Sequence, residues 1–377
     1  MSDFDVIVIG GGMAGISVAY ELAATHRVVV TEAEAQLAAH STGRSAAILI
    51  PSYGSETARP LTVASQAFLL DPPPGFTDMP FMSNRGALWI ARPDQATSLE
   101  PVAAAAEEAG TQAIPLSAEE AVEMVPVLRP DRLHGALWEP DALDMDVAAI
   151  HQSYVRGLRQ RKGEVVTSAP VSRIQRQGSA WVVEAGDHEL TASILVNAAG
   201  AWGDVIARLA GVTPVGLQPM RRTAFMVGGK DEWVKWPMVI DADHEFYFKP
   251  DGPQLLCSPA DETPTDPGDA RPDPLDVALA IERINEATTL EIRSVRSEWA
   301  GLRTFAPDRS LVIGPDPEVP EFVWMVGQGG TGIQAAPATA QLTAALVRGE
   351  GMPGHIAEAG LDLSAVSPDR PSLSSGE

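Results

Sequence analysis

Residues 4–32 read FDVIVIGGGMAGISVAYELAATHRVVVTE, and their order is strand, turn, helix, strand. Asp5 to Ile9 is a short apolar run rich in Val and Ile, the composition of a parallel strand buried on both faces. Gly10, Gly12 and Gly15 follow at G-x-G-x-x-G spacing. Gly10 permits a tight turn, Gly12 lets backbone approach a pyrophosphate, and Gly15 lets the helix pack closely on the strand. A helix from about Met13 to Ala24 would then aim its free N–H groups and positive dipole end at phosphates. Arg27 to Thr31 reads as the second strand. Glu32 closes it, at the distance where a carboxylate takes the ribose hydroxyls of an adenosine. A bare glycine triplet says little. One that follows a strand, opens a helix and ends in an acid predicts dinucleotide binding.

The chain has 377 residues, a length that suits two domains, and 45% hydrophobic residues to fill their cores. Its net charge of −23 argues against nucleic acid or anionic membrane as partners, since both call for basic surface. A single cysteine, Cys257, excludes an intramolecular disulfide and a cysteine metal cluster. The seven histidines show no ligand spacing, so no metal is expected. The 4–24 stretch is apolar, but Asp5, Glu21 and its glycines argue against a membrane span. With the fold starting at residue 4, the expectation is a cytoplasmic protein without a signal peptide.

Outward from the first motif, HSTGRS at 40–45 is a polar turn placed to lie along a cofactor. Helical patterns cover 56–70, 99–109, 118–124 and 147–161, the last with Asp146 as N-cap. Short strands at 164–168, 171–177 and 181–184 suggest a small meander. The apolar strand 193–197 runs into NAAGAW at 197–202, a small-residue turn before the helix 203–210. Residues 215–258 alternate strand-like runs with Pro, Gly and Asp, the pattern of an antiparallel sheet. Residues 264–274 form a loop, 275–287 a helix, 297–305 and 311–313 strands. The strand 322–326 leads into GQGGTGIQ at 327–334 and a helix to about Val347. The tail from Ser364, rich in Ser and Pro, is expected to be loosely held.

Nucleotide-binding elements therefore stand at the start, middle and end, with a sheet region inserted. The predicted fold is α/β: a Rossmann-like FAD-binding domain (1–82, 146–214, 300–377) and a mainly antiparallel substrate domain (83–145, 215–299). Such interleaving suits a long, buried FAD better than a nicotinamide cofactor, whose domain is normally contiguous. GQGGTGIQ would direct backbone N–H groups at the negative charge a reduced flavin develops, or is a glycine-rich turn without a ligand. Arg222 and Arg303, on separate strands, have the fork geometry to hold a carboxylate, with Tyr53 and Tyr247 as hydroxyl donors. Arginines on strands more often serve surface ion pairs, and residue type alone leaves both readings open.

The chain resembles the D-amino acid oxidase superfamily of FAD-dependent oxidoreductases, most closely the bacterial D-arginine dehydrogenases. The matching stretches are VIGGGMAG, VVVTEAEAQ, HSTGRSAA, PVLRPD, LVNAAGAW, GVTPVGLQPMRRTAF, FYFKPD, EATTLEIR, WAGLRTF and GQGGTGIQ, in the same order along nearly the whole chain. The resemblance implies that fold, with non-covalent FAD. It implies oxidation of a D-amino acid to an imino acid that water hydrolyses to a 2-oxo acid and ammonia. It also implies that Arg222 and Arg303 clamp the substrate carboxylate with Tyr53 and Tyr247, and that the Gly330 carbonyl receives the amine. On the cofactor it places Gly10, Gly12, Ala14, Gly15, Glu32, Ala33, His40, Ser41, Thr42, Arg44, Ser45, Ala46, Ala47, Ile48, Val171 (against adenine), Ala199, Gly200, Trp202, Arg303, Gly329, Gly330, Thr331, Gly332, Ile333 and Gln334. The reaction needs positioning more than a protein acid or base.

The chain departs from the D-arginine enzymes where they read the side chain. Their guanidinium-pairing glutamate falls at Ala87, a histidine near the flavin falls at Ile48, and an aromatic residue falls at Thr331. Ile48, Leu49 and Ile50, with Met238 and Ile240, are expected to make an apolar pocket. Neutral D-amino acids are therefore expected over D-arginine, unless Asp241 or Glu245 turns inward as a substitute acid. Two other readings stand beside this one. The first is an oxidase of a secondary or N-methyl amino acid on the same fold, although Cys257 is no convincing counterpart of a flavin-linking cysteine. The second is a non-catalytic FAD-binding subunit, against which Arg222, Arg303 and Tyr247 speak. The electron acceptor, oxygen or a quinone-type molecule, is left open.

Overall fold

A computed structural model describes residues 3–373. The first motif folds as its residues dictate: strand Val6–Ile9, helix Met13–Leu22, strand Val28–Thr31. All four residues of each strand are buried, as in a sheet covered on both faces. Side chains of Val6–Ile9 alternate between two cores. Val6 and Val8 join helices Met13–Leu22, Val147–Gln160 and Ala336–Val347, whereas Ile7 and Ile9 pack towards Ile174, Trp181 and Trp324.

This sheet has six strands in the order Val312–Pro315, Phe322–Val326, Ile194–Asn197, Val6–Ile9, Val28–Thr31, Glu164–Val166. Only the pair 312–315 with 322–326 is antiparallel. The mixed α/β architecture is the one expected. Glu164–Val166 corrects the predicted meander: it pairs in parallel with Val28–Thr31 as the sheet edge. The meander is instead Val171–Gln177, Ala180–Ala185 and His188–Ala192.

The second sheet has nine strands. Gln218–Gly228, its longest, pairs with Ser297–Phe305, Gln254–Ser258 and Thr263–Pro264. The sheet continues through Tyr247–Asp251, Met238–Asp241, Ala87–Ala91, Gly135–Glu139 and Ile114–Leu116. It is antiparallel except where Met238–Asp241 runs parallel to Ala87–Ala91. Helix Pro274–Ala287, capped by Asp273, packs Val277, Ala280 and Ile284 on the sheet core with Phe225 and Phe248. Ser297–Phe305 lies wholly in this sheet, across the expected domain junction at 299/300.

The tail, as far as the described residues reach, is held more firmly than its composition suggests; residues 374–377 lie outside them. Arg370 bonds Asp308 at 2.7 and 2.9 Å, the Ile313 N–H bonds the Val366 carbonyl, and Val366 is fully buried. Among the described residues no helix is long and apolar enough to cross a membrane.

Candidate active site

The carboxyl ends of the parallel strands open into a cavity of about 430 Å³ that runs from the nucleotide motif to the second glycine cluster. Gly10, Gly12, Ala14, Glu32, Ala33, His40, Ser41, Thr42, Arg44, Ser45, Ala46, Val171, Ala199, Gly200, Trp202, Gly329, Gly330, Gly332 and Ile333 all line it, as do Arg222, Tyr247 and Arg303. The local reasons are visible. Gly10 sits at φ +111°, and a Cβ there would stand 2.5 Å from the Ala198 carbonyl oxygen. A Cβ on Gly15 would stand 1.8 Å from the Gly10 carbonyl oxygen, so Gly15 serves helix–strand contact and does not face the cavity. Beside Gly12 a Cβ would meet only Thr42 Oγ1, at 3.3 Å, and that same oxygen accepts the Met13 N–H.

Glu32 accepts the Gly11 N–H at 2.8 Å and the Glu34 N–H at 2.9 Å, which orients its carboxylate along the cavity wall. Behind the loop, His151 Nε2 lies 3.0 Å from the Gly11 carbonyl; burial holds this imidazole below its ordinary value. The polar turn 40–45 is largely a tie. Arg44 bonds the Ala300 carbonyl and Asp269, and Ser41 donates to the Leu302 carbonyl. The structure sets the other sequence candidates apart from this cavity. Ala47 faces a separate surface groove, and Ile48 belongs to a short strand packed on Leu143–Met145. Gln334 is a buried pin between Ile50 and Thr62. Helix Ala336–Val347 begins two residues after Gln334, so the glycine cluster is a run of turns rather than the helix's first turn.

A second cavity of about 660 Å³ adjoins the first at Arg222 and the turn Gln328–Gly330, and is lined by Tyr53, Trp89, His244, Glu262, Arg309 and Thr331 among others. At the junction Arg303 Nη1 donates to the Tyr53 hydroxyl at 2.7 Å. Among the described residues no carboxylate lies within ion-pair distance of Arg303. Burial pushes the Tyr53 phenol up, but the Arg303 and Arg222 charges outweigh it and hold the phenol below its ordinary value. A Cβ on Gly330 would stand 2.9 Å from Arg303 Nη1 and 3.2 Å from the Tyr53 oxygen, so a larger residue would have to push the ends of both side chains aside.

Arg222 is not free in the same way: Nε donates to the Asp261 carbonyl at 2.7 Å and Nη2 to Glu262 at 3.0 Å. His244 belongs to the site although its sequence spacing carries no ligand signal. At φ +57° it presents its ring to the outer cavity, 5.2 Å from Trp89 and 6.2 Å from Tyr53. Withdrawal from bulk water, with the Arg222 and Arg303 charges, holds its imidazole below the ordinary value. Glu139, equally silent in the sequence, is buried beneath the site, accepting from Ser52 at 2.7 Å and Trp89 at 2.6 Å; burial pushes its carboxyl up.

The expected apolar pocket is corrected in detail. Ile50, Ala87, Met238 and Ile240 form a packed cluster behind Tyr247 and line neither cavity, and Leu49 turns into the nucleotide-side core. Asp241 and Glu245 do not turn inward: Arg92 bonds them at 2.7 and 2.9 Å.

A family model described as FAD dependent oxidoreductase matches residues 5–346. The chain belongs to this family. It is 28% identical to a glycine oxidase of Pseudomonas putida over 91% of this chain and 94% of that one. It is 24% identical to human mitochondrial sarcosine dehydrogenase over 88% of this chain and 38% of that one. Its fold matches a crystal structure of glycine oxidase from Geobacillus kaustophilus with a TM-score of 0.85, at 22% identity, covering 98% and 99% of the two chains. The likeness to D-arginine dehydrogenases thus holds at the level of the superfamily, with relatives of other substrate names.

FAD is the family's cofactor, and the first cavity fits it. A Cβ would meet nothing within 4 Å at Gly200 and only Thr42 Oγ1 at Gly12, so backbone lies open to the channel there, and Thr31 Oγ1, buried in its wall, has no hydrogen-bond partner among the described residues. Gly10, Gly12 and the Met13 helix would hold the pyrophosphate, Glu32 the ribose, and the turns at 328–333 the flavin.

Proposed function

We propose that this protein uses non-covalently held FAD to oxidise the carbon–nitrogen bond of a D-amino acid with a neutral side chain. The observation that carries the reading is Arg303. It is a guanidinium at the mouth of the cofactor cavity with a phenol for a partner and, among the described residues, no carboxylate. A withdrawn cation of this kind is costly unless an anion arrives, and an α-carboxylate fits its fork. Gly330 packs its α-carbon against that anchor, and in this reading its carbonyl receives the amine of the same α-amino acid. Tyr53 steers Arg303, and Tyr247 closes the flavin side. Bound FAD supplies the two-electron acceptor for the α-hydrogen; the chain's own residues anchor, orient and exclude water. Water then hydrolyses the released imino acid to a 2-oxo acid and ammonia.

Side-chain preference rests on which acids are free. Asp241 and Glu245 are held by Arg92, Glu262 by Arg222 and Arg309, and Glu139 lies buried beneath Ser52 and Trp89. Asp243, exposed at the outer cavity's edge, is the remaining acid, and Ser98 and Gln95 bond it. A guanidinium entering this site finds no dedicated partner, whereas Trp89, Val102, Ala105 and Leu311 offer apolar wall. A second reading, oxidation of glycine or an N-methyl amino acid, is favoured by the glycine oxidase and sarcosine dehydrogenase relatives. The test is kcat/KM for D-leucine, D-methionine, D-arginine, glycine and sarcosine. D-leucine or D-methionine is expected to exceed D-arginine at least about tenfold, roughly 1.4 kcal/mol. D-arginine as the best substrate would overturn the side-chain reading, and sarcosine or glycine as the best would establish the second.

A further inference from the structure

We propose that Glu262 is a specificity-determining residue: held on Arg222 as a built-in carboxylate, it restricts the site to substrates bearing a single carboxylate. The inference rests on Arg303 as the α-carboxylate anchor and concerns what the second arginine does.

Arg221 and Arg222 are neighbours on one strand, so their side chains leave opposite faces. Arg221 turns to Asp261 and Asp276. Arg222 turns to the junction of the two cavities and is only 11% exposed at its side chain. There it donates Nε to the Asp261 carbonyl and Nη2 to Glu262 Oε1. The other oxygen of Glu262 accepts Arg309 Nη2 at 2.8 Å. Arg309 in turn lies over the Phe305 ring, 3.8 Å from its centroid, so it is anchored in its own right. Both oxygens of Glu262 are thereby committed.

The segment carrying Glu262 is built onto the strand. Asp261 Oδ1 accepts the Thr223 N–H at 2.6 Å, and its other oxygen accepts Thr223 Oγ1 and Arg221 Nε. Ala260 makes the required bend at φ +53°. The backbone leading into Glu262 is therefore fixed beside Arg222.

The chemical consequence follows from counting anions. One substrate carboxylate meets Arg303. A second one, on the side chain or on a nitrogen substituent, would seek Arg222 and find Glu262 there already. It must then displace that carboxylate or stand beside a like charge, the repulsive half of specificity.

The test uses FAD-loaded wild type, Glu262→Gln and Arg309→Gln, titrated with acetate, propionate, malonate and succinate. Binding is read from the perturbation of the flavin absorbance. In wild type the monocarboxylates are expected to bind, and the dicarboxylates to bind no better. Glu262→Gln should tighten malonate or succinate by about tenfold or more relative to acetate, about 1.4 kcal/mol. Arg309→Gln, which keeps the Glu262 charge and leaves it to Arg222 alone, should not raise the ratio above that of wild type. An unchanged dicarboxylate-to-monocarboxylate ratio in Glu262→Gln overturns the inference while the carboxylate anchor stands. So does an equal rise for both classes, which would put Arg222 in the anchor itself. Failure of acetate and propionate to perturb the wild-type flavin overturns the anchor, and this inference with it.

Discussion

Arg303→Met is expected to yield a protein that still carries FAD and has lost most of its activity. The guanidinium bonds Tyr53 and, among the described residues, no carboxylate, so its charge is available to a substrate. Truncating one partner of a desolvated, charge-assisted pair costs roughly 2–5 kcal/mol. That corresponds to a fall in kcat/KM of roughly 30-fold to several thousandfold. Both parameters should move, because an unanchored amino acid binds weakly and presents its α-hydrogen poorly. FAD content, read from the cofactor released by heat, should stay near that of wild type. Kinetics close to wild type would show that Arg303 is a structural arginine, and the carboxylate site would have to be sought elsewhere.

Gly15→Ala is expected to act on the other end of the cavity and to produce mainly apoprotein. The added methyl would fall 1.8 Å from the Gly10 carbonyl oxygen, and both are backbone-bound, so helix and strand must part. Overpacking of this kind costs typically about 1–3 kcal/mol, occasionally more. Here it also displaces the turn whose N–H groups would hold the pyrophosphate. Gly351→Ala is the control, since a Cβ there meets nothing within 4 Å. The melting temperature and the flavin content should both fall in Gly15→Ala, and neither should fall in Gly351→Ala. Full flavin content in Gly15→Ala would contradict the role assigned to this contact.

What is legible in the sequence is local. Three glycines between an apolar strand and a helix announce their own geometry, and the motif folds almost residue for residue as read. Asp146 is readable as an N-cap for the same reason: its carboxylate accepts the Ala149 N–H, three residues on. Glu164–Val166 is hard to place because a three-residue strand carries no signal of which neighbour it will join. The tail looks loose in the sequence because Arg370 finds Asp308 62 residues away, a pairing that composition does not show.

The site divides in the same way. Backbone-lined positions such as Gly12, Gly200 and Gly329 face the cavity that their motifs announce. The expected side-chain pocket does not form, because burial at Ala87 or Ile240 means packing against Tyr247 as readily as lining a cavity. Asp241 and Glu245 read as free acids in the sequence; Arg92, 149 residues before Asp241, holds them. His244 and Glu262 are silent for a related reason. One sits in a left-handed turn and the other in an irregular segment, and neither position has a periodicity to read.

Transfer of electrons to FAD from an α-amino acid anchored at Arg303 is tested by anaerobic mixing of the FAD-loaded protein with D-leucine, and separately with L-leucine, while the flavin absorbance is followed. Bleaching by the D enantiomer, absent with the L enantiomer and largely lost in Arg303→Met, is the predicted result. A flavin that dithionite reduces but that no amino acid bleaches, neither enantiomer of leucine nor glycine nor sarcosine, would contradict it.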